Sequence, residues 1–297
     1  MALALITGAA GFTGDYLVRE LSACGIDSAG IGIEPPPAQS SLQQYIQTDM
    51  LDAPSMNDAV RKIRPDYVFH LAGMSHVVHG NPASIYSVNI MAARNLLTAL
   101  SSLDHAPAGV LLASTANLYG NQEGILDENT PPAPMNDYAV SKLAMEYMAA
   151  LFRDQLPITI VRPFNYTGRG QSPAFLVPKL VLHFRERRES IELGNIDVTR
   201  DFSDVRDVAR RYVRLALAKN AGWGPFNFCS GVGLTIRDIL DILGQITGHS
   251  PEIKINPDFV RKNEVRRLIG SDAKLDGVIG RFNAIPFGET LRWMLEA

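Results

Sequence analysis

The stretch LALITGAAGFTG, residues 3–14, constrains this chain more than any other. An apolar run of strand length breaks onto Gly8, Gly11 and Gly14, and the helical pattern DYLVRELSACG follows and stops at Gly25. Without Cβ atoms the backbone can turn tightly there and admit an anion to the amide-rich, positive start of the helix. The spacing is G-x-x-G-x-x-G rather than G-x-G-x-x-G. By itself it describes a structural turn, and it reads as dinucleotide-binding because a strand precedes it and a helix follows.

The alternation of apolar runs and helical patterns continues, which predicts an α/β fold with a doubly wound parallel sheet. SAGIGI (28–33) is a second strand, and Pro35, Pro36 and Pro37 forbid a helix directly after it. YIQTDM, ending at Met50, is a third, and a helix with Met56, Val60 and Ile63 leads to DYVFHLAG (66–73). SIYSVNIMAARNLLTALSSL reads as one long helix, apolar nearly all round. AGVLLAST and ITIVRPFN are strands on either side of a helix carrying YAVSKLAMEYMAALF. Parallel strands buried on both faces give continuous apolar runs of this kind. After Phe164 the pattern loosens into a loop, NYTGRGQSP, a helix with a basic end (Arg185, Arg187, Arg188), a hairpin-like segment and two more helical stretches. The basic end reads as a solvated helix face. The expected organisation is a dinucleotide-binding domain over 1–165, to which the chain returns near 203–220, and a smaller α/β region over 166–297.

A chain of 297 residues with 46 % hydrophobic content can bury a substantial core. Its formal net charge of −3 offers no electrostatic case for nucleic acid. MALALITGAAG lacks a basic leader and meets Gly and Thr too early for a signal peptide, and no later run is long enough to span a bilayer. Cys24 and Cys229 are too few for a disulfide framework or a zinc cluster and read as two buried free thiols. A cytoplasmic protein with no membrane or nucleic-acid partner and no metal is expected.

Several polar residues stand out against this background. In YAVSK, Tyr138 and Lys142 are four apart and share a helix face. An ammonium beside a phenol favours the phenolate, so the pair is expected to bring Tyr138 toward neutrality for proton exchange with a carbonyl or alcohol. LLASTANLYG (111–120) begins as an apolar strand and turns polar at Ser114, Thr115, Asn117 and Tyr119. Counting from Gly14, the acid that normally holds an adenosine ribose falls at Gly32. Glu34, two residues on, either reaches that ribose or is an exposed loop acid. No arginine follows to welcome a 2′-phosphate, so NAD and NADP stay open. Asp49 either meets an adenine amino group or is a surface acid. His70 reads as a satisfied core residue, while His76 and His79 have no third ligand for a metal. Asn89, inside an apolar helix, is either a polar group satisfied by the backbone or a support for the loop beside the polar strand end.

TGAAGFTG, HLAG, STANLYG, YAVSK and RPFN, in this order along essentially the whole chain, resemble the extended short-chain dehydrogenase/reductase family of nucleotide-sugar enzymes, which holds the NAD-dependent epimerases and dehydratases. The resemblance implies a Rossmann domain for NAD(H) or NADP(H) and a smaller C-terminal part that closes over a nucleoside-diphosphate sugar. Gly8, Gly11, Phe12, Gly14, Glu34, Asp49, Met50, Leu71, Ala72 and Lys142 would then contact the cofactor. Thr115 would hydrogen-bond the reacting oxygen, Tyr138 would act as acid or base, and Lys142 would hold the nicotinamide ribose; Ser114 is structural by the same comparison.

The family's 4,6-dehydratases place acids directly after the catalytic Thr, where this chain has Ala116 and Asn117. Neither carries a proton at neutral pH, which leaves a ketoreductase or an epimerase. RPFNYTGRGQ, LGNIDVTRDFSDVRDV, FNFCSG and RKNEVRRLIGSDAKL are more similar to the family's GDP-4-keto-6-deoxy-D-mannose reductases than to its UDP-galactose epimerases. That similarity implies that Asn165 and Arg200 contact a diphosphate and that Arg261 and Glu264 bracket a phosphate and the nucleoside ribose. A guanidinium fork suits phosphate and a carboxylate suits a pair of ribose hydroxyls. Arg169, where the family usually has Pro, is expected to alter the sugar pocket, and GRF (280–282) replaces a Gly-Trp pair. The expected activity is reduction of the 4-keto group of a GDP-linked 6-deoxyhexose. A 4-epimerase with tightly held NAD is the alternative, ahead of a dehydratase or a catalytically silent dinucleotide sensor. The apolar helices around 89–100 and 144–152 further predict a homodimer.

Overall fold

The computed structural model of the chain describes residues 1–36, 41–74, 81–218, 221–259 and 265–296. Its first strand, β1 (Leu3–Thr7), runs into the glycine turn, and α1 (Phe12–Ala23) starts at once beyond it. Gly14 makes that close approach possible: a Cβ there would lie 2.6 Å from the carbonyl oxygens of both Gly8 and Ala9. The chain continues through β2 (Asp27–Gly32), β3 (Gln44–Gln47), α2 (Ala53–Ile63) and β4 (Tyr67–His70). A helical stretch follows as α3 (Pro82–Tyr86), a π-helical turn (Ser87–Ala92) and α4 (Ala93–Ser101), so the long apolar helix is interrupted at its centre, around Asn89. Then come β5 (Gly109–Ala113), α5 (Asp137–Ala149), β6 (Ile158–Pro163) and β7 (Asn165–Thr167). The rest is α6 (Leu176–Arg185), β8 (Ser190–Leu193), β9 (Thr199–Asp204), α7 (Val205–Leu217), β10 (Pro225–Phe228), β11 (Gly233–Thr235), α8 (Ile236–Thr247), β12 (Glu252–Ile255), β13 (Arg267–Leu268), α9 (Ala273–Ile279) and α10 (Phe287–Leu295).

Seven parallel strands form the main sheet in the order β3-β2-β1-β4-β5-β6-β10, a doubly wound Rossmann arrangement whose order reverses between β1 and β4. Alternating side chains face two layers. Leu5, Ile31, Val68, Leu112 and Ile160 pack with Met56, Val60, Leu96, Leu100 and Met145 of α2, α4 and α5. Ile6, Phe69, Leu111, Val161 and Phe226 pack with Leu17, Leu21, Tyr212 and Leu215 of α1 and α7. Burying each such side chain stabilises the fold by about 1.5–3 kcal/mol before the entropy of ordering it is counted.

The second sheet centres on β9, which pairs with β7 and β13 in parallel and with β11 antiparallel. Beside it, Leu180, Phe184, Leu193, Ile239, Leu243 and Leu291 join α6, α8 and α10 in a separate core. Thr235 and Asp238 start α8 with a reciprocal capping box. The expected hairpin does not form: β8 pairs in parallel with β12, and β9 takes other partners. Cys24 is exposed rather than buried, because it caps the solvent end of α1; Cys229 is buried as expected. Among the described residues no helix is long and apolar enough to cross a membrane, and no group of three or more His, Cys, Asp or Glu could hold a metal.

Candidate active site

The C-terminal ends of β1, β4, β5 and β6 converge at the point where the strand order reverses, the crevice where open α/β sheets bind ligands. Gly8 and Gly11 turn away from β1, and the backbone after β4 is tied to it: Leu71 donates its N–H to the Thr7 carbonyl and Ala72 donates to Thr7 Oγ1, both at 3.2 Å. No side chain caps the first turn of α1. A cleft of about 270 Å³ opens there, between Gly11, Phe12 and Tyr16 on one wall and Arg169 and Gly170 on the other. Uncapped amides at a helix start, beside a glycine turn no Cβ could enter, suit a dinucleotide pyrophosphate.

At the end of β2 the place of the ribose-binding acid is filled differently. Tyr45 lies across Gly32, where a Cβ would stand 2.5 Å from its hydroxyl oxygen, and that hydroxyl donates to the Glu34 carbonyl at 2.7 Å. Gln47 Nε2 holds the Ile33 carbonyl at 2.9 Å, so β3 fixes the course of this turn. Glu34 is exposed. Asp49 lies beyond the end of β3, not on it, because the ladder stops at Gln47; its Oδ1 accepts from the Leu51 N–H at 2.9 Å. Met50 is buried, with its carbonyl held by Asn95 Nδ2 at 2.9 Å.

The polar strand end and the YAVSK helix meet. Thr115 Oγ1 accepts from the backbone N–H of Asn117 at 3.2 Å and from its Nδ2 at 3.1 Å. With its lone pairs so engaged, the Thr115 proton is free to donate, and the phenol of Tyr138 is its hydrogen-bonding partner. Asn136 starts α5 by accepting from the Ala139 N–H at 2.8 Å, which sets the phase in which Tyr138 and Lys142 face β5. Lys142 is 4 % exposed and donates to the Ala113 carbonyl at 2.8 Å.

The charge balance of this pair differs from expectation. Burial pushes Tyr138 up to about 12 instead of toward neutrality, and it lowers Lys142 to about 8 against the opposing field of Glu146. Desolvation wins because the ammonium is spent on a backbone carbonyl. The phenol therefore stays protonated at neutral pH, the form a proton donor needs.

Asn89 is satisfied largely by backbone groups, the first of its two readings, and the loop it holds is the one after β4 rather than that of the polar strand. In the π turn, its Oδ1 accepts from the Met74 N–H at 2.8 Å, while Nδ2 donates to the Met74 carbonyl at 3.1 Å and to Ser141 Oγ at 2.9 Å. It thereby fastens the loop after β4 to α5. His70 is only half satisfied: Nδ1 meets Thr7 Oγ1 at 2.8 Å, but the buried Nε2 has no partner among the described residues. Burial holds its pKa at about 3. His76 and His79 lie outside the described residues.

On the C-terminal side, Asn165 begins β7 and its Nδ2 lies 3.4 Å from the Asp201 carbonyl. Arg200 is half-buried on β9, with Nη1 donating to the Thr199 carbonyl at 2.9 Å. Arg261 and Glu264 lie outside the described residues. Arg169 borders the cleft beside α1, and its guanidinium is held by α10. Its Nε donates to the Trp293 carbonyl at 2.5 Å, Nη2 reaches Glu296 at 3.3 Å, and the guanidinium lies 4.9 Å from the Trp293 ring centre, so it secures α10.

Near the strand end, Tyr166 and the Glu146–Arg162 pair were not singled out in the sequence, and Asn117 was noted without its role. Asn117 orients Thr115, as above. Tyr166 stacks on Phe12 at 6.2 Å and meets Thr13 Oγ1 at 2.8 Å, joining β7 to the glycine turn. Glu146 and Arg162 form a buried ion pair behind the site, with Nη2 2.6 Å from Oε2. Glu146 recurs four residues after Lys142 on the same helix face, a spacing that could have pointed to it.

Residues 4–228 match the model of the NAD dependent epimerase/dehydratase family. GDP-6-deoxy-D-talose 4-dehydrogenase from Aggregatibacter actinomycetemcomitans is 36 % identical over 95 % of this chain and 93 % of its own. GDP-6-deoxy-D-mannose reductase from Pseudomonas aeruginosa PAO1 is 33 % identical over 98 % and 95 %. Among solved structures, a candidate epimerase from Burkholderia cenocepacia J2315 superposes with a TM-score of 0.94 at 48 % identity, covering 99 % of this chain and 97 % of that one.

Proposed function

Because the chain belongs to the NAD dependent epimerase/dehydratase family, whose members act on nucleotide sugars, we propose that it is a reductase of the 4-keto group of a GDP-linked 6-deoxyhexose. The observation that carries this reading is the strand end itself. Thr115, Tyr138 and Lys142 are assembled there, while the two places after Thr115 hold the buried Ala116 and the amide Asn117. Reduction asks for one proton at one oxygen, which a phenol can give; elimination of water asks for a further acid and base, which these side chains are not.

When bound, NADH or NADPH would supply the hydride to C4 of the sugar. Tyr138, protonated at neutral pH, gives its proton to the C4 oxygen, so that ketone, hydride and proton together make a secondary alcohol. Thr115, its lone pairs held by Asn117, would turn its one proton from the phenol to the same oxygen when substrate is bound and stabilise charge as it develops. Lys142, on the same face as Tyr138, would hold the nicotinamide ribose. The uncapped start of α1, with Gly8, Gly11, Phe12 and Gly14, would take the pyrophosphate, and Leu71 and Ala72 would line the adjoining wall. Glu34, Asp49 and Met50 would line the adenosine end. Asn165 and Arg200, with Arg261 and Glu264, would meet the diphosphate and ribose of the sugar nucleotide. We read residues 1–165 with α7 and β10 as the cofactor domain, the remainder as the sugar-nucleotide domain, and the protein as a homodimer.

A 4-epimerase is the second reading, favoured by the 48 % identity to the candidate epimerase of B. cenocepacia. One experiment separates the two. Purified protein is given GDP-4-keto-6-deoxymannose with NADPH or NADH, cofactor absorbance is followed, and the product sugar is identified. Stoichiometric consumption of reductant supports the reductase. Interconversion of the two C4-hydroxy epimers of a GDP-6-deoxyhexose, given to the protein in a separate reaction without added cofactor, supports the epimerase. In Tyr138→Phe, reduction should slow by about a hundred-fold or more while cofactor still binds.

A further inference from the structure

Behind the reacting groups lies a buried polar chain that the proton transfer does not itself use. Three successive turns of α5 touch three successive residues at the end of β5. Tyr138 meets Thr115, Lys142 Nζ donates to the Ala113 carbonyl at 2.8 Å, and Glu146 Oε1 accepts from Ser114 Oγ at 2.5 Å. Glu146 does not stand alone. Arg162 of β6 grips it with two donors, Nε to Oε1 at 3.0 Å and Nη2 to Oε2 at 2.6 Å, and both side chains are less than a tenth exposed. The third arm of Arg162, Nη1, donates to the Tyr119 hydroxyl at 3.0 Å, which in turn donates to Asn227 Oδ1 of β10 at 2.7 Å. Asn227 is anchored by the Leu126 carbonyl at 3.0 Å and the Glu128 carboxylate at 2.7 Å.

We propose that Glu146, clamped by Arg162, is a positioning residue of this site: it fixes the register of α5 on the end of β5 and places a carboxylate one helical turn behind the Lys142 ammonium. A helix can slide or roll on a strand end unless directional contacts stop it, and two apolar faces supply no direction. The Ser114–Glu146–Arg162 bonds supply it, in a dry interior where each is short and every oxygen is used. A one-turn or half-turn displacement of α5 would break them and carry Tyr138 off Thr115.

The same carboxylate acts on charge. Lys142 is nearly stripped of water, which favours its neutral form, and Glu146 opposes that. Among the described residues, the other groups around Lys142 add no counter-charge. His70 from β4 is held neutral, Asn89 from the π turn and the Ala113 carbonyl from β5 are uncharged, and Tyr138 on α5 is protonated. Arg162 from β6 is itself cationic and lies on the far side of Glu146.

The inference rests on the reading of Lys142 as the cation that holds the cofactor ribose, and its test therefore uses a readout that needs no sugar substrate. NADH and NADPH affinity of the purified protein is titrated between pH 6 and 10 by quenching of protein fluorescence, for wild type, Glu146→Gln and the double variant Glu146→Gln/Arg162→Met. Turnover of the GDP-4-keto sugar is measured in parallel. In Glu146→Gln the alkaline midpoint for loss of cofactor affinity should fall by about one pH unit, and kcat should fall at least ten-fold with KM within about two-fold. The double variant removes the bare guanidinium, so it should recover the melting temperature but keep the lowered midpoint and kcat. If either variant folds and retains the wild-type midpoint and kcat, the proposal is overturned and Glu146 only holds the core together. Absence of turnover in wild type with the GDP sugar would overturn the substrate reading instead, and the cofactor titration would still report on Glu146.

Discussion

The side-chain amide of Asn89 donates to the hydroxyl of Ser141 at 2.9 Å, across 52 residues of sequence. Ser141 in turn donates to the Tyr138 carbonyl at 2.8 Å, and the rest of the Asn89 amide is spent on both backbone groups of Met74. One buried amide thus joins the π turn, the loop after β4 and the helix that carries the proton donor. Asn89→Leu keeps the volume and strands these partners without water. It should cost about 3 kcal/mol of unfolding free energy, measured by urea denaturation, because each buried unpaired polar group costs about 1–3 kcal/mol. A loss below about 1 kcal/mol would mean the three bonds contribute little.

The Arg169 guanidinium turns to α10. There it shares the Trp293 ring with Arg206, whose guanidinium lies 3.8 Å from the ring centre. Arg169→Ala should therefore lower stability by about 1 kcal/mol, through lost cation–π and carbonyl contacts at a half-exposed site, and leave the KM for the sugar nucleotide within about two-fold. A changed product stereochemistry in this variant would return Arg169 to the sugar pocket.

Much of this was legible in the sequence, for physical reasons that also mark where legibility ends. LALITG, DYVFHLAG, AGVLLAST and ITIVRPFN are strands because burial on both faces permits only apolar residues, and the structure has a strand in each. Tyr138 and Lys142 stood out because helix spacing is local, whereas Thr115 was singled out within the polar strand end only by the family resemblance. Tyr45 could not. It reaches Gly32 only through the pairing of β2 with β3, and a tyrosine in a short polar strand carries no sign of what it covers. Glu146 and Arg162 are hidden in the same way, since a charged residue reads as surface until the strand opposite supplies its partner. Where the Arg169 guanidinium points was not legible either, since sequence position gives the loop but not the rotamer, and its contact with Trp293 joins residues 124 positions apart. The basic-ended helix and the segment after it gave a hairpin reading from spacing alone, while the pairing of β8 with β12 is set by residues 60 positions on.

His70 supplies a pH test of burial. Its folded pKa is held at about 3 from an ordinary 6.5, so between these values the unfolded chain binds a proton that the folded chain refuses. Stability contributed by the neutral ring is complete above pH 6.5 and is lost as pH falls toward 3, at up to about 1.4 kcal/mol per pH unit. Asn can still meet Thr7 and has nothing to titrate. His70→Asn should therefore remove up to one proton's worth of slope from unfolding free energy plotted between pH 6 and 4.5. Equal slopes in the two proteins would show that His70 is protonated in the fold.

The remaining apolar surface predicts assembly, and the structure narrows where. Leu96, Leu97 and Leu100 of α4, which looked in sequence like a contact face, are fully buried against α2 and the main sheet. On these two helical stretches the exposed large apolar side chains are Met91 in the π turn, at 44 %, and Val140, Tyr147 and Leu151 along and just beyond α5, the last two at 69 % and 73 %. Residues 140, 147 and 151 recur at helical spacing, so they form a stripe on the face of α5 turned from the core. A stripe of this kind on two copies can pair about a two-fold axis, each helix meeting its own equivalent, and a stable pairing should bury more than about 1,200 Å². Light scattering of the wild-type protein at micromolar concentration should give twice the 32.5 kDa chain mass. Tyr147→Glu/Leu151→Glu places two charges in each half of the contact, where they meet their equivalents with no counter-ion. The dissociation constant should rise at least a hundred-fold, while far-UV circular dichroism is unchanged because neither side chain packs in the monomer core. A wild-type mass of one chain that does not change with concentration would refute the dimer outright, and a double variant that remains dimeric would move the contact to another face.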